Sequence, residues 1–372
     1  MSRILSVELM KRGIGFRCPN CKGLLVETKN SFLCDECHVD WKIREGIASF
    51  FEDDVYWSDK IPETEAVTLT KIAAEEGWKT ALHDVFRWNH RNDYRIISDL
   101  RRADFRFLMP LNNESTVLVL GCGLGAITVA LSKVCRAVVA LSDIFEYVKF
   151  LDIRRQQERI LNIFPVHGGN TLHLPFPEDC FDAVVAVGMS QWAGVAHRNV
   201  KLREAENNLL LSVYKALKVG GHLYVGVANK HGCDHLMGRH DHNGGRFASL
   251  RPGKLVDTVS WIISGTSCRT HQYSPDVYTR ILQGTGFREI RFYAPLPEHH
   301  EPHFFIPLDN VNVMKYFLNN SLDSFEFGSP QMREKYRILY RIGKVAAKIA
   351  LSLGLAGSVK YVVPSYGIIA RK

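Results

Sequence analysis

The sequence predicts an α/β fold: a doubly wound, Rossmann-like sheet behind a small metal-binding module and a helical lead-in. Three observations carry this. Strand and helix signals alternate from residue 111 to 295. The first of these strands stops at a glycine-rich turn, VLVLGCGLGA over residues 117–126. Two Cys-x-x-Cys pairs stand near the amino terminus. Alternating βα units bury a parallel sheet between helices and leave a ligand crevice outside the carboxyl ends of its strands.

Composition bounds the classes. With 372 residues, 46% hydrophobic and 23% charged, the chain has room for one large globular domain and a small one. Lys and Arg number 47 against 39 Asp and Glu, a net charge of +8. That balance suits an anionic partner, a membrane surface, or solubility alone. The opening MSRILSVELMKRGIGF has no sustained apolar core and no small-residue cleavage site, so no secretory signal is expected. No run of 18 uncharged apolar residues occurs, so no spanning helix is expected either. Nine cysteines, four of them in a metal pattern, point to the reducing cytoplasm.

The first module covers residues 1–52. Cys18 and Cys21 form one pair, Cys34 and Cys37 the other, with twelve residues between. Two residues between sulfurs let both thiolates of a knuckle face one ion, and two knuckles complete a tetrahedral shell suited to zinc. All four positions are filled by protein, so such an ion is structural. The competing readings are a redox Cys-x-x-Cys, which two matched pairs disfavour, and His38 in place of Cys37. LLVETKNSFL between the pairs alternates enough for a short hairpin. This piece resembles the zinc ribbon of the eukaryotic tRNA-methyltransferase activator subunit, and ribbons fused to some bacterial methyltransferases. The resemblance implies a docking or substrate-presenting module.

Residues 53–110 are rich in Trp, Arg and helical spacing and read as two or three helices capping the core. Trp57, Trp78, Trp88 and Tyr94 either line a substrate cleft or pack those helices. The core follows, over 111–295. TVLVLG is its first strand, and LGAITVALSKV the helix that opens at the glycine turn. RAVVALS, FPVHG and DAVVAVG are the next strands, the last with the continuous apolar character of a fully buried one. A helix starting near Asp143 separates the second from the third. NVKLREAENNLLLSVYKAL is a helix ended by Val219-Gly220-Gly221, before the fifth strand HLYVGVA. SPDVYTRILQGTG is a glycine-capped helix, and FREIRFYAPL the sixth strand. Residues 296–363 form an insertion, and 364–372 return as a seventh, antiparallel strand.

The glycine turn by itself fits two cofactors. As Gly121-x-Gly123-x-x-Ala126, with Asp143 about 20 residues on, it fits a dinucleotide fingerprint. As Gly121-x-Gly123-x-Gly125 it fits an S-adenosylmethionine loop. GNTLHLPFPEDCFDAVVAVG and then ALKVGGHLYVGVANK decide between them. Asn170, the Leu174-Pro175-Phe176-Pro177 turn, Phe181-Asp182 and Gly220-Gly221 stand in the order found in class I methyltransferases. The resemblance covers residues 111 to 295 and the last eight. It implies the seven-stranded sheet of that family. It also implies a cofactor site of Gly121, Cys122, Gly123 and Gly125 around the methionine moiety, Asp143 on the ribose and Asn170 at the adenine. Met189 and Gln191, with Trp192, would flank the sulfonium. Two positions depart from the family: Val119 stands where an acid is usual, and Ser142 precedes Asp143 at the end of the second strand.

A general base is sought in KHGCDHLMGRHDHNGGRF, which resembles a segment of bacterial methyltransferases of this build. His242, beside Asp241, is the leading candidate; a hydrogen-bonded lid and a second metal site with Cys233 are the alternatives. His299, His300, Glu301 and His303 are spaced like metal ligands but read first as a polar turn. MREKYRILYRIGKVAAKIALSLGLAG, inside the insertion, is a basic amphipathic helix. It suits packing on its own domain or peripheral membrane contact.

The expected activity is S-adenosylmethionine-dependent O-methylation of a small-molecule or sugar-containing (glycan) acceptor. An RNA base methyltransferase is the second reading. Against it, Gly188-Met189-Ser190-Gln191-Trp192 replaces the Asn/Asp-Pro-Pro-Tyr motif, and no basic, aromatic-interleaved module stands beside the core. A non-catalytic binding protein of the same fold is the third, motivated by Val119 and Ser142.

Overall fold

The structure, a computed structural model, describes residues 9, 11–51, 61–86, 97–168, 173–188, 202–229, 231–232, 272–320, 345, 349 and 352–372. The chain divides into two compact units, Met1–Tyr224 with Arg371–Lys372, and Val225–Ala370.

The first unit begins with the four-cysteine module. Its strands β1 (Leu25–Glu27), β2 (Ser31–Cys34), β3 (Asp40–Arg44) and β4 (Ile47–Ser49) form an antiparallel meander. It packs rings: Phe16 lies 5.3 Å from Phe32 and 4.9 Å from Phe50, and Trp41 lies 5.9 Å from Phe50. β4 then turns parallel and joins β7 (Ile163–His167), with Ala48 opposite Val166 and Ser49 opposite His167. The module thus covers the edge of the main sheet, a placement that removes an exposed pairing edge.

From that edge the strand order is β4-β7-β6-β5-β8-β9, with β5 Thr116–Leu120, β6 Ala137–Ser142, β8 Phe181–Val187 and β9 Leu217–Ala228. β5 runs parallel to β6 and β8, and β6 parallel to β7. Every residue of β5, β6 and β7 is buried, which is why these strands read as unbroken apolar runs. The accompanying helices are α3 (Ala126–Ser132), α4 (Phe145–Gln157) and α5 (Leu202–Ala216). The lead-in supplies α1 (Glu63–Glu76), α2 (Trp78–Phe86) and a 3-10 segment, Leu100–Leu108. Leu69, Leu82 and Phe86 of α1 and α2 pack with Leu124 of the glycine turn and Phe150 of α4. Trp78 is a packing residue of this layer: the Arg154 guanidinium lies 4.0 Å from its ring. The Trp78 backbone N–H also donates to Gln157 Oε1 at 2.9 Å. Trp57, Trp88 and Tyr94 lie outside the described residues.

Asp182 opens β8 and ties three strands together. It accepts from the Thr116 N–H at 2.8 Å and the Thr116 hydroxyl at 2.9 Å, and from Lys218 Nζ at 2.9 Å.

In the second unit the end of β9 is followed in strand order by β12 (Ser365–Arg371), β10 (Arg288–Glu298) and β11 (Glu301–Pro307). β10 and β11 form a hairpin whose turn is His299–His300; of the polar turn expected over His299, His300, Glu301 and His303, the last two instead lie in β11, and His299 is buried. α6 (Pro275–Thr285) ends at Gly286, whose left-handed backbone (φ 112°) lets its N–H reach the Leu282 and Gln283 carbonyls. α7 is Val311–Asn320. Asn229, fully buried, donates its amide to the Tyr361 and Val363 carbonyls at 2.9 and 2.7 Å. Of the basic helix, only Val345 and Ile349 are described before residue 352, both more than half exposed.

Two expectations change. Seven strands are expected, whereas the described residues form a twelve-stranded sheet, because the module adds four and β11 adds one. Gly220-Gly221 is expected as a turn before the fifth strand, whereas β9 already starts at Leu217. The cause is the chain end. The Gly220 N–H donates to the Lys372 carbonyl, and the Lys372 N–H to Gly221, drawing the glycines into the ladder. Lys372 Nζ adds bonds to the Leu217 carbonyl at 2.6 Å and Asp179 at 2.8 Å.

Candidate cofactor site and four-cysteine cluster

The glycine turn bends over the end of the neighbouring strand. The N–H groups of Gly121 and Cys122 both donate to the Leu141 carbonyl, at 2.9 and 3.0 Å. Gly121, Gly123 and Gly125 all hold positive φ, at 69°, 50° and 92°, where a Cβ is strained. Their reasons differ. A Cβ on Gly125 would lie 2.5 Å from Leu151 Cδ1, so that glycine lets α3 seat against α4. A Cβ on Gly123 would meet nothing within 4 Å. Gly123 therefore faces open space, as a backbone approached by a ligand must. Leu124 between them is buried in the lead-in layer and pins the turn.

Asp143 lies one residue past β6 and is buried, at 6% exposure. Its carboxylate is close enough to act on Cys122: burial, and then the Asp143 charge, push that thiol up to about 12. The turn and the acid thus converge on one place, at the carboxyl ends of β5 and β6. Ser142, which intervenes between strand and acid, has a local job. Its hydroxyl accepts from the Ile144 N–H at 3.2 Å, and its carbonyl from the Gly168 N–H at 2.7 Å. Val119 is buried between Ala140 and Val185 and brings no polar group to the site. Asn170, Met189, Gln191, Trp192, Asp241 and His242 lie outside the described residues.

Sequence reasoning missed two residues here. His167, at the end of β7, is 1% exposed. Its Nδ1 bonds the Ser49 hydroxyl at 2.7 Å and its Nε2 the Asp143 carbonyl at 3.3 Å. The one available signal was a histidine closing an otherwise apolar strand. Nothing in the sequence names its partner Ser49.

The four cysteines come together. The sulfurs of Cys18, Cys21, Cys34 and Cys37 all lie within 4.8 Å of one another. Cys18 and Cys37 are 3.5 Å apart, Cys21 and Cys34 3.3 Å. A disulfide needs about 2.05 Å, whereas thiolates about 2.3 Å from one zinc stand roughly 3.8 Å apart. The donor set fits a metal, and His38 is not part of it. The Cys37 N–H, ahead of other backbone and thiol donors, lowers Cys34 to about 6. The Gly23 N–H lowers Cys21, but the neighbouring thiols and burial outweigh it and raise that thiol to about 12. Four sulfurs this close offer a single cation a complete set of ligands. The module also grips the main domain: Arg17 N–H donates to the Pro175 carbonyl at 3.1 Å and Lys22 Nζ to the Leu174 carbonyl at 2.8 Å.

A parallel sheet, a glycine turn closing its first strand and an acid closing the second define an α/β domain built to hold a nucleotide-like cofactor. Residues 118–225 match the family model described as a methyltransferase domain. The chain carries a methyltransferase domain over those residues. No curated protein matches the chain. Among solved structures it is similar to an S-adenosylmethionine-dependent methyltransferase of Thermotoga maritima, at 17% identity over 62% of this chain and 87% of that one, TM-score 0.37. It is also similar to a chain in the complex of the Haloferax volcanii Trm112 methyltransferase activator with a methyltransferase, at 16% identity over 81% and 96%, TM-score 0.41. A third is geranyl diphosphate C-methyltransferase from Streptomyces coelicolor A3(2), at 15% identity over 76% and 84%, TM-score 0.39. Likenesses this low say nothing about what this chain methylates.

Proposed function

We propose that this enzyme methylates an oxygen of a small-molecule or sugar-containing acceptor in the cytoplasm, and that its amino-terminal module is a ribbon holding one structural zinc. The observation that carries the cofactor reading is the convergence of the open Gly123 backbone with the buried Asp143 carboxylate. Gly121, Cys122, Gly123 and Gly125 cradle the methionine moiety, and Asp143 accepts from the ribose hydroxyls. Asn170 meets the adenine, while Met189 and Gln191 flank the reacting centre. S-adenosylmethionine supplies an electrophilic methyl group on a sulfonium.

The chain's own work is positioning and proton removal. Holding the acceptor in line supplies about 7–11 kcal/mol of barrier reduction. A base adds about 10²–10⁴ in rate, and His242, oriented by Asp241, is assigned that role. The acceptor class follows the resemblance to bacterial methyltransferases of this build, and residues 188–192, which lack the motif used for exocyclic amino groups, weigh against an RNA base. The zinc reading rests on the four clustered sulfurs and on an aromatic core too small to fold unaided.

Calorimetry with S-adenosylmethionine tests the cofactor reading, and absence of binding up to millimolar cofactor sinks it. Tritiated methyl transfer to a metabolite extract against total RNA then tests the acceptor. Label in RNA alone replaces O-methylation of small molecules with the RNA reading. His242→Ala should cut turnover while leaving cofactor affinity unchanged; full turnover removes it from the mechanism.

A further inference from the structure

The hydrogen bonds of His167 run from the amino-terminal module to the residue that closes the cofactor site. We propose that His167 is a positioning residue for cofactor binding, clamped by Ser49 of the module and fixing the backbone of Asp143. The inference rests on the reading of Asp143 as the ribose acid.

The geometry leaves His167 little choice. In the sheet it stands opposite Ser49 of β4 on one side and Ser142 of β6 on the other. Ser49, His167 and Asp143 are all buried. A carbonyl only accepts, so Nε2 carries the proton that reaches the Asp143 oxygen, and the Ser49 hydroxyl donates to Nδ1. The ring also meets Phe51, 5.6 Å away and tilted, and Phe145, 5.4 Å away and edge-on. Together with the Ser142 bonds to Ile144 and Gly168, this fixes the peptide units on both sides of Asp143. A leucine would fill the volume but leave a buried carbonyl without this donor. Arg44 of β3 sits 4.0 Å over Phe145, and Ile47 of β4 packs with Phe145 and Val148. The module therefore braces the start of α4 as well as the loop that precedes it. A carboxylate must be held in place before the ligand arrives if its hydrogen bonds are to count fully toward affinity.

The test uses the full chain. S-adenosylhomocysteine affinity is measured by calorimetry at 25 °C, and thermal unfolding is followed in parallel, for wild type, Ser49→Ala, His167→Leu, His167→Gln and the double variant Ser49→Ala/His167→Leu. Loss of one such bond should weaken binding about five- to tenfold in His167→Leu and about threefold in Ser49→Ala. The double variant should bind within about twofold of His167→Leu, because the two residues act in series. His167→Gln, which keeps a donor for the Asp143 carbonyl, should recover most of the affinity. Wild-type affinity in Ser49→Ala and both His167 variants, whatever happens to their melting temperatures, overturns the proposal and leaves His167 a packing residue. If His167→Leu does not fold, Ser49→Ala decides: a loss of about threefold supports the proposal and wild-type affinity overturns it. A wild-type chain that binds no S-adenosylhomocysteine overturns the cofactor reading itself, an outcome distinct from unaffected variants.

Discussion

Asp182→Ala separates a structural acid from a cofactor acid within the same motif. The carboxylate accepts from the Thr116 N–H, the Thr116 hydroxyl and Lys218. Truncation affects them unequally. Lys218 is 43% exposed and regains water, so its share is small. The Thr116 hydroxyl keeps the Cys180 carbonyl at 3.0 Å. The Thr116 N–H has no such retreat, since Thr116 is 3% exposed. A buried donor left unpaired costs about 1–3 kcal/mol, and that is the expected loss of stability. Asp182→Asn keeps an acceptor and should recover part of it. Burial pushes this carboxyl up, but Thr116 and Lys218 more than reverse it, so its folded value is depressed. A depressed acid contributes stability above its unfolded value of about 3.9 and loses it as pH falls through the folded value. The stability gap between wild type and Asp182→Asn should therefore narrow below about pH 4. Urea unfolding followed by tryptophan fluorescence, at pH 7 and pH 3.5, reads all of this. A stability of Asp182→Ala within about 0.5 kcal/mol of wild type refutes the reasoning. So does lost S-adenosylhomocysteine affinity at unchanged stability, which would move Asp182 into the cofactor site.

Two further outcomes are expected. Gly125→Ala forces a side chain into left-handed backbone and against Leu151; it should cost about 1–2 kcal/mol and weaken S-adenosylhomocysteine binding, and a variant with wild-type unfolding would show that the turn tolerates a Cβ. Metal analysis should find about one zinc per chain, reduced in Cys34→Ser; full retention in that variant would refute the site.

The fold was legible where one physical signal dominates. β5, β6 and β7 are buried on both faces, so their sequences carry no alternation and their limits were easy to place. The glycine turn and the two cysteine knuckles were legible because only certain residue types can serve there. What stayed hidden depends on partners far along the chain. Nothing near Gly220 or Gly221 announces that Lys372 will draw them into a strand. Asp182 was read as a family marker, and its three bonds to Thr116 and Lys218 became visible only in the fold. His167 could be seen as odd in its strand, but its role depends on Ser49, 118 positions earlier.

That separation also sets an order of events during synthesis. Apart from the docking of β4 on β7, the module's strands pair with near neighbours in sequence, so its four cysteines can come together as soon as it emerges. Its docking strand on the main sheet, β7, is made about 118 residues later, which at about 5–20 residues per second is a wait of roughly 6 to 24 s. Metal capture and docking are therefore separate steps. On the proposed zinc reading, a cell short of the metal would harm this chain during its synthesis, before any part of the cofactor site exists.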